Sequence, residues 1–76
     1  MAIKAYVLIE VDIGKTKEVV EAIRRLKGVV SIDAVTGPYD AIAVIQAETM
    51  SEIGDLVVSV LHSFAGISRT VTCIAV

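Results

Sequence analysis

The sequence predicts an α+β domain with the element order βαββαβ, and three observations lead to this prediction. Segments of alternating apolar and polar residues, typical of strands, flank two segments in which apolar residues recur every three to four positions, as in helices. The glycines, apart from Gly54, stand where one pattern gives way to the next. The 76 residues suffice for one domain, residues 1–76.

The first half of the chain is predicted as strand, helix, strand. Alternation from Ile3 to Ile13 predicts a strand, and Gly14 ends it. Lys15 to Lys27 changes to helical spacing, and Gly28 is expected to provide a left-handed cap. The residues expected on the buried side of this helix are Val19, Val20, Ile23 and Leu26. Val29 to Thr36 then reads as the second strand, with Val30, Ile32 and Ala34 expected on one face.

The second half repeats the pattern after a turn at Gly37 to Asp40. Ala41 to Glu48 is predicted to be a strand that forms a hairpin with the preceding one. Thr49 and Glu52 have the spacing of a capping box, which marks a helix start. The helix is expected to stop at Gly66, before a last strand from Ile67 to Val76. Its predicted core side consists of Ile53, Leu56, Val57, Val60, Leu61 and Phe64.

This order predicts a ferredoxin-like antiparallel sheet of four strands with both helices on one face. The other face would be polar in a monomer, yet aliphatic and aromatic side chains alternate onto it, and 55% of the chain is hydrophobic. Examples are Tyr6, Leu8, Ile42 and Val44. We therefore expect two sheets to pack face to face in a homo-oligomer.

Composition excludes several partners. A net charge of −2 argues against direct binding to nucleic acid, which depends on clustered Lys and Arg. The longest late apolar stretch, Leu56 to Ile67, is too short to span a membrane, and the first strand lacks the features of an export signal. Cys73 is the only cysteine, so no internal disulfide forms, and a cytoplasmic location is expected.

Catalytic and metal-binding patterns are not found in the sequence. His62 is the only histidine, and we interpret it as a surface residue that favours the negative end of the second helix. Cys73 is interpreted as an apolar filler within a strand, because no residue near it in sequence would activate it as a nucleophile. Metal-ligand spacings and phosphate-binding glycine loops are missing. We expect no enzymatic activity, no metal and no cofactor.

The turn from Gly37 to Asp40 has features that a hairpin does not require. Gly37 and Pro38 suit the backbone of a turn, but tyrosine has no structural necessity there. Tyr39 would provide an apolar ring, Asp40 a carboxylate for an ammonium group, and the turn amides a site for a carboxylate. This combination fits a zwitterion. A plain turn in which Tyr39 packs on the domain fits these four residues equally well.

Two segments together give the chain a family resemblance. The residues Thr36 to Asp40 (TGPYD) between the second and third strands, and Gly66 to Thr72 (GISRTVT) at the last strand, resemble the RAM domain. This is the C-terminal effector domain of Lrp/AsnC feast/famine transcriptional regulators. The resemblance covers essentially the whole chain.

The resemblance implies a dimeric αβ-barrel whose dimers form rings, such as octamers or decamers, with amino-acid effectors between dimers. It implies a ligand site at the first segment and on the last strand, comprising Thr36, Gly37, Pro38, Tyr39, Asp40, Thr70 and Thr72. The chain starts at the first RAM strand, so we expect a stand-alone form without a helix-turn-helix domain. Such a form would sense or buffer a ligand, or co-assemble with a full-length regulator.

Two other readings remain open. A small dimeric αβ-barrel enzyme of the monooxygenase or isomerase kind would use the same paired sheets and would need His62 as its acid-base residue. An ACT-type amino-acid sensor shares the strand order but places its ligand near the loop after the first strand. That loop is Asp12 to Lys15 in this sequence.

Overall fold

The computed structural model describes residues 2–62 and 64–76. The strands form one sheet in the order β2-β3-β1-β4, and every neighbouring pair is antiparallel. The predicted βαββαβ order and ferredoxin-like sheet are therefore confirmed. The elements are β1 Ile3–Val11, α1 Thr16–Arg24, β2 Val29–Ala34, β3 Ala41–Ala47, α2 Met50–His62 and β4 Ile67–Ile74.

The core lies between the two helices and one face of the sheet. Alternate residues of the central strands β1 and β3 are fully buried there, in agreement with the alternation in the sequence. Ala5, Val7 and Ile9 of β1 lie in register with Ile45, Ala43 and Ala41 of β3. The helices cover this face with Val19, Val20, Ile23, Ile53 and Val60.

The opposite face of the sheet carries an apolar patch that no helix covers. Its members lie in register across three strands, because Tyr6 pairs with Val44 and Cys73, and Leu8 pairs with Ile42 and Val71. We call these six residues the open sheet face: Tyr6, Leu8, Ile42, Val44, Val71 and Cys73. The face is bordered by an ion pair in which Arg69 Nη1 lies 3.3 Å from Glu10 Oε2. At the other end, Lys4 Nζ lies 5.1 Å from the centroid of the Tyr6 ring.

Helix α1 is shorter than the helical spacing predicted. It ends at Arg24, whereas the sequence pattern continued to Lys27. The reason is a tighter turn after the helix, in which the backbone N–H of Leu26 donates to the carbonyl of Ile23 at 3.0 Å. Gly28 has the expected left-handed conformation, with a φ of 94°. It lies at the entry to β2 rather than directly after the helix.

Strand β2 departs from the predicted alternation because it contains a bulge. Val29 pairs with Ile45, but the next aligned pair is Ser31 with Val44, so the register shifts between Val29 and Ser31. The prediction that Val30 shares a face with Ile32 is therefore wrong: Ile32 is buried, while the side chain of Val30 is 58% exposed.

Helix α2 begins as predicted. Thr49 Oγ1 accepts the backbone N–H of Glu52 at 3.1 Å. The Glu52 carboxylate in turn accepts the Thr49 hydroxyl at 3.1 Å, rather than the backbone amide expected for a capping box. Leu61 was expected in the core, but it is 39% exposed. The helix ends at His62, and the predicted continuation includes Ser63, which lies outside the described residues.

Candidate functional site

One edge of the sheet brings together three connections of the chain. Because all neighbouring strands are antiparallel, β1 and β2 end at the edge where β3 and β4 begin. The β2–β3 turn, the loop after β1 and the segment before β4 therefore meet there. We call it the turn edge, defined by residues 35–40, 12–15 and 64–67. Both segments that carried the family resemblance reach this edge.

The β2–β3 turn is closed at its base and exposed at its tip. The backbone N–H of Val35 donates to the carbonyl of Asp40 at 2.9 Å, which closes the connection. Gly37 adopts a φ of 150°, which L side chains rarely adopt. Of the predicted site residues, Tyr39 is half-buried, whereas Thr36, Gly37 and Pro38 are exposed.

Asp40 ties this turn to the end of β1. Its backbone N–H donates to the carbonyl of Ile9 at 2.9 Å, and its Oδ2 accepts the backbone N–H of Val11 at 2.8 Å. The regular pairing of β1 with β3 ends at Ile9 and Ala41. Val11 lies two residues after Ile9, so its backbone N–H points toward β3, as the Ile9 carbonyl does. The regular β3 strand offers no backbone acceptor at this position, and the Asp40 carboxylate accepts the Val11 N–H in its place.

The other predicted site residues lie across β1 on the strand β4. Thr70 pairs with Ile9 and Thr72 with Val7, and both threonines are half-buried on the helix side of the sheet. Two strand spacings, roughly 10 Å, separate β3 from β4. Thr70 is thus level with the base of the turn, and Thr72 lies two residues farther from it. A single chain places these threonines beside β1 rather than against the turn.

The β4 side of the same stretch of β1 is also fixed by hydrogen bonds. Asp12 N–H donates to the carbonyl of Gly66 at 2.8 Å, and Ser68 Oγ donates to the carbonyl of Glu10 at 3.2 Å. Residues 9–12 are thus held from both sides. The sequence contained no signal for Val11 as a partner of Asp40, because the two residues are 29 positions apart.

The loop considered for an ACT-type ligand lies at the same edge. The N–H of Lys15 donates to the carbonyl of Asp12 at 3.0 Å, and Gly14 has a φ of 80°. Ile13 at its tip is fully exposed. This loop and the β2–β3 turn therefore flank the end of β1 on one edge of the sheet.

An open cavity of about 510 Å3 lies at the opposite edge of the sheet. β3 starts at the turn edge and its last residues line this cavity, so the length of a seven-residue strand, roughly 20 Å, separates the two. None of the predicted ligand-binding residues contributes to the cavity. Its lining consists of Ala2, Lys27, Gly28, Gln46, Ala47, Glu48, Glu52, Asp55, Leu56 and Ser59.

The groups considered for catalysis do not converge. His62 is exposed in the last turn of α2, as predicted for a surface residue. Cys73, interpreted as an apolar filler within a strand, is exposed on the open sheet face and so does not fill the core of the single chain. Within residues 2–62 and 64–76, no group of three or more His, Cys, Asp or Glu side chains is arranged to hold a metal. In that same part of the chain, no helix is long and apolar enough to cross a lipid bilayer.

Fold and site together define a class: a ferredoxin-like α+β domain with an apolar open sheet face and a tethered glycine-containing turn at one sheet edge. Comparison with known proteins identifies the family. Residues 4–76 match the Lrp/AsnC ligand binding domain, and the chain belongs to this family. The resemblance found in the two sequence segments is thereby confirmed.

Individual relatives agree with this membership. An uncharacterized HTH-type transcriptional regulator of Pyrococcus horikoshii is 35% identical over 74 residues, which are 93% of this chain and 49% of the regulator. The chain thus spans about half the length of this relative. A crystal structure of a Thermus thermophilus protein has 35% identity and a TM-score of 0.90, and the match covers 97% of this chain and 92% of that one.

A more distant match is a transcriptional regulator of Neisseria meningitidis, solved as a complex with L-Met. It has 18% identity and a TM-score of 0.83, over 97% of this chain and 49% of that chain. At this identity the likeness concerns the fold alone.

Proposed function

We propose that this chain is an effector-binding module that senses an amino acid or a related small metabolite. The observation that carries the proposal is the β2–β3 turn, whose base is fixed to β1 by Asp40 while Thr36, Gly37 and Pro38 remain exposed. A turn held in one conformation loses little freedom when a ligand binds, so more of the contact energy contributes to affinity.

The chemistry of this turn suits a zwitterion. Backbone amides of an exposed turn can donate to a carboxylate, and carbonyl and hydroxyl oxygens nearby can accept from an ammonium group. Tyr39 adds a ring surface for an apolar side chain. The L-Met complex of the Neisseria regulator supports this choice of ligand class only by analogy of fold.

We further propose that two copies pair through the open sheet face and that the ligand lies between such dimers. The apolar centre of that face would be removed from water by a second sheet. The turn edge lies at the ends of the strands, so it remains accessible after the sheets have paired. Thr70 and Thr72 are separated from the turn by β1 in one chain, and we propose that ring formation completes a site that includes them.

We propose a second kind of partner by analogy with the HTH-type relative. This chain spans about half of that regulator, and its family match corresponds to the ligand-binding part. We propose that the chain can also assemble with a full-length Lrp/AsnC regulator, since the same sheet and edge surfaces would be used. Copurification of the two chains from a mixture, at a defined stoichiometry, would support this partnership.

Isothermal titration calorimetry of the purified oligomer against each of the twenty amino acids tests the ligand proposal. We expect at least one amino acid to bind at millimolar concentration or below. Tyr39→Ala should weaken that binding at least about tenfold, whereas Ser59→Ala, which alters the cavity at the opposite edge, should leave it unchanged. The proposal would be contradicted if none of the twenty amino acids bound at a ligand concentration of about 10 mM, which would detect even weak effectors.

A further inference from the structure

Asp40 has a role in the candidate site that differs from direct ligand contact. One oxygen of its carboxylate already accepts the backbone N–H of Val11 at 2.8 Å. Its own backbone N–H and carbonyl are engaged with Ile9 and Val35, both at 2.9 Å. This single residue therefore closes the turn through one hydrogen bond and fastens it to β1 through two others.

We propose that Asp40 is a positioning residue, whose carboxylate holds the turn against β1 by accepting the Val11 N–H. In this role it does not recognise the ligand through its negative charge. The inference rests on the proposed ligand site at the turn and assigns Asp40 its part in that site. The turn amides, Tyr39 and the neighbouring backbone then provide the ligand contacts.

The position of Val11 explains why the tether matters. Strand β3 starts at Ala41, so it offers no backbone carbonyl to the Val11 N–H. On the other side, the pairing of β1 with β4 shifts register between Glu10 and Val11. Without the carboxylate, the end of β1 would keep its hydrogen bond from the Asp12 N–H to Gly66, but the turn would be connected to β1 only through the Asp40 backbone.

Two substitutions of Asp40 distinguish positioning of the turn from direct recognition of the ligand by the negative charge. Asp40→Asn keeps an oxygen that can accept the Val11 N–H but removes the charge, whereas Asp40→Ala removes both. If Asp40 positions the turn, the affinity for the amino acid found by calorimetry should fall at least about tenfold in Asp40→Ala, because the competent turn conformation becomes a minor state. In Asp40→Asn it should stay within about threefold of the unsubstituted chain.

Thr49→Ala is the matched control. It also removes a hydrogen bond between a side chain and a backbone amide, at 3.1 Å, together with the hydroxyl's bond to the Glu52 carboxylate, but at the start of α2 on the opposite edge. Affinity should be unchanged in this variant. Equal losses in Asp40→Asn and Asp40→Ala would overturn the proposal in favour of direct charge recognition. A loss in Thr49→Ala as large as in Asp40→Ala would overturn it in favour of general loosening.

A second measurement does not depend on any ligand. Hydrogen exchange of the Val11 amide, followed by NMR, should be slow in the unsubstituted chain and in Asp40→Asn, and at least about tenfold faster in Asp40→Ala. Unchanged protection in Asp40→Ala would overturn the positioning role. If no amino acid binds but exchange follows the expected order, the ligand proposal fails while the tether stands, so the two failures are distinguishable.

Discussion

A β-carbon added to Gly28 would lie 2.7 Å from Cδ2 of Leu56, so the entry to β2 packs directly on helix α2. Gly28 also has a φ of 94°. We expect Gly28→Ala to lower the free energy of unfolding by about 1–3 kcal/mol from backbone strain, with a further loss from displacement of Leu56. Urea unfolding followed by circular dichroism measures the change.

The two causes can be separated in a double-mutant cycle. Leu56→Ala removes the methyl groups that an alanine at position 28 would meet. In this background, Gly28→Ala should cost less than in the unsubstituted chain, because only the backbone strain remains. An equal cost in both backgrounds would show that the contact with Leu56 contributes nothing.

At Gly37, a substitution would cause backbone strain without a steric clash. Its φ is 150°, and a β-carbon added there would have no heavy atom within 4 Å. Gly37→Ala should therefore destabilise the chain by about 1–3 kcal/mol through strain alone, or shift the turn and weaken ligand binding. Unfolding and calorimetry on the same sample test both effects. Unchanged stability together with unchanged affinity would contradict this prediction.

Gly54 should behave in the opposite way. It lies inside α2 with helical geometry, and a β-carbon there would meet nothing within 4 Å. Gly54→Ala is expected to stabilise the chain by about 1 kcal/mol, since alanine has the higher helix propensity. A higher midpoint in urea with an unchanged slope would agree. Destabilisation would show that another chain approaches this helix closely.

The fold could be predicted from the sequence because the patterns that specify its strands and helices lie within short segments of the chain. Alternation placed Ala5, Val7 and Ile9 on one face of β1, and the capping pair Thr49 and Glu52 marked the start of α2. Local patterns were wrong where tertiary packing decides the outcome. The bulge that exposes Val30 depends on how β2 aligns with β3, and this alignment is not visible in the β2 sequence.

The turn that forms the candidate site could be predicted from the sequence, but its hydrogen bonds to the rest of the sheet could not. The turn from Thr36 to Asp40 was recognisable from its residue types, and the structure has it at the edge that also holds Gly66. The hydrogen bond between Asp40 and Val11 joins residues far apart in the chain, so no local pattern indicated it. In the proposed assembly, contact of Thr70 and Thr72 with a ligand would depend on surfaces between chains, which the sequence of one chain does not specify.

Leu8 offers a test of the proposed link between assembly and binding. It lies at the centre of the open sheet face, in register with Ile42 on one side and Val71 on the other. Leu8→Lys should let the single domain fold, because the long side chain can carry its ammonium group to water. Pairing of two sheets would instead bury that charge, which is strongly unfavourable. We expect sedimentation velocity to detect a shift from oligomer to monomer, with lower solubility.

Val58→Lys is the matched control, because Val58 is 51% exposed on α2, on the helix side of the sheet. This variant should remain an oligomer and bind the amino acid normally. Leu8→Lys should lose binding along with assembly, since a site between dimers cannot form from monomers. A soluble Leu8→Lys monomer that binds the amino acid with full affinity would show that binding does not depend on assembly. It would place the complete ligand site within one chain. In that case the turn, fixed to β1 by Asp40, would hold the ligand without a partner.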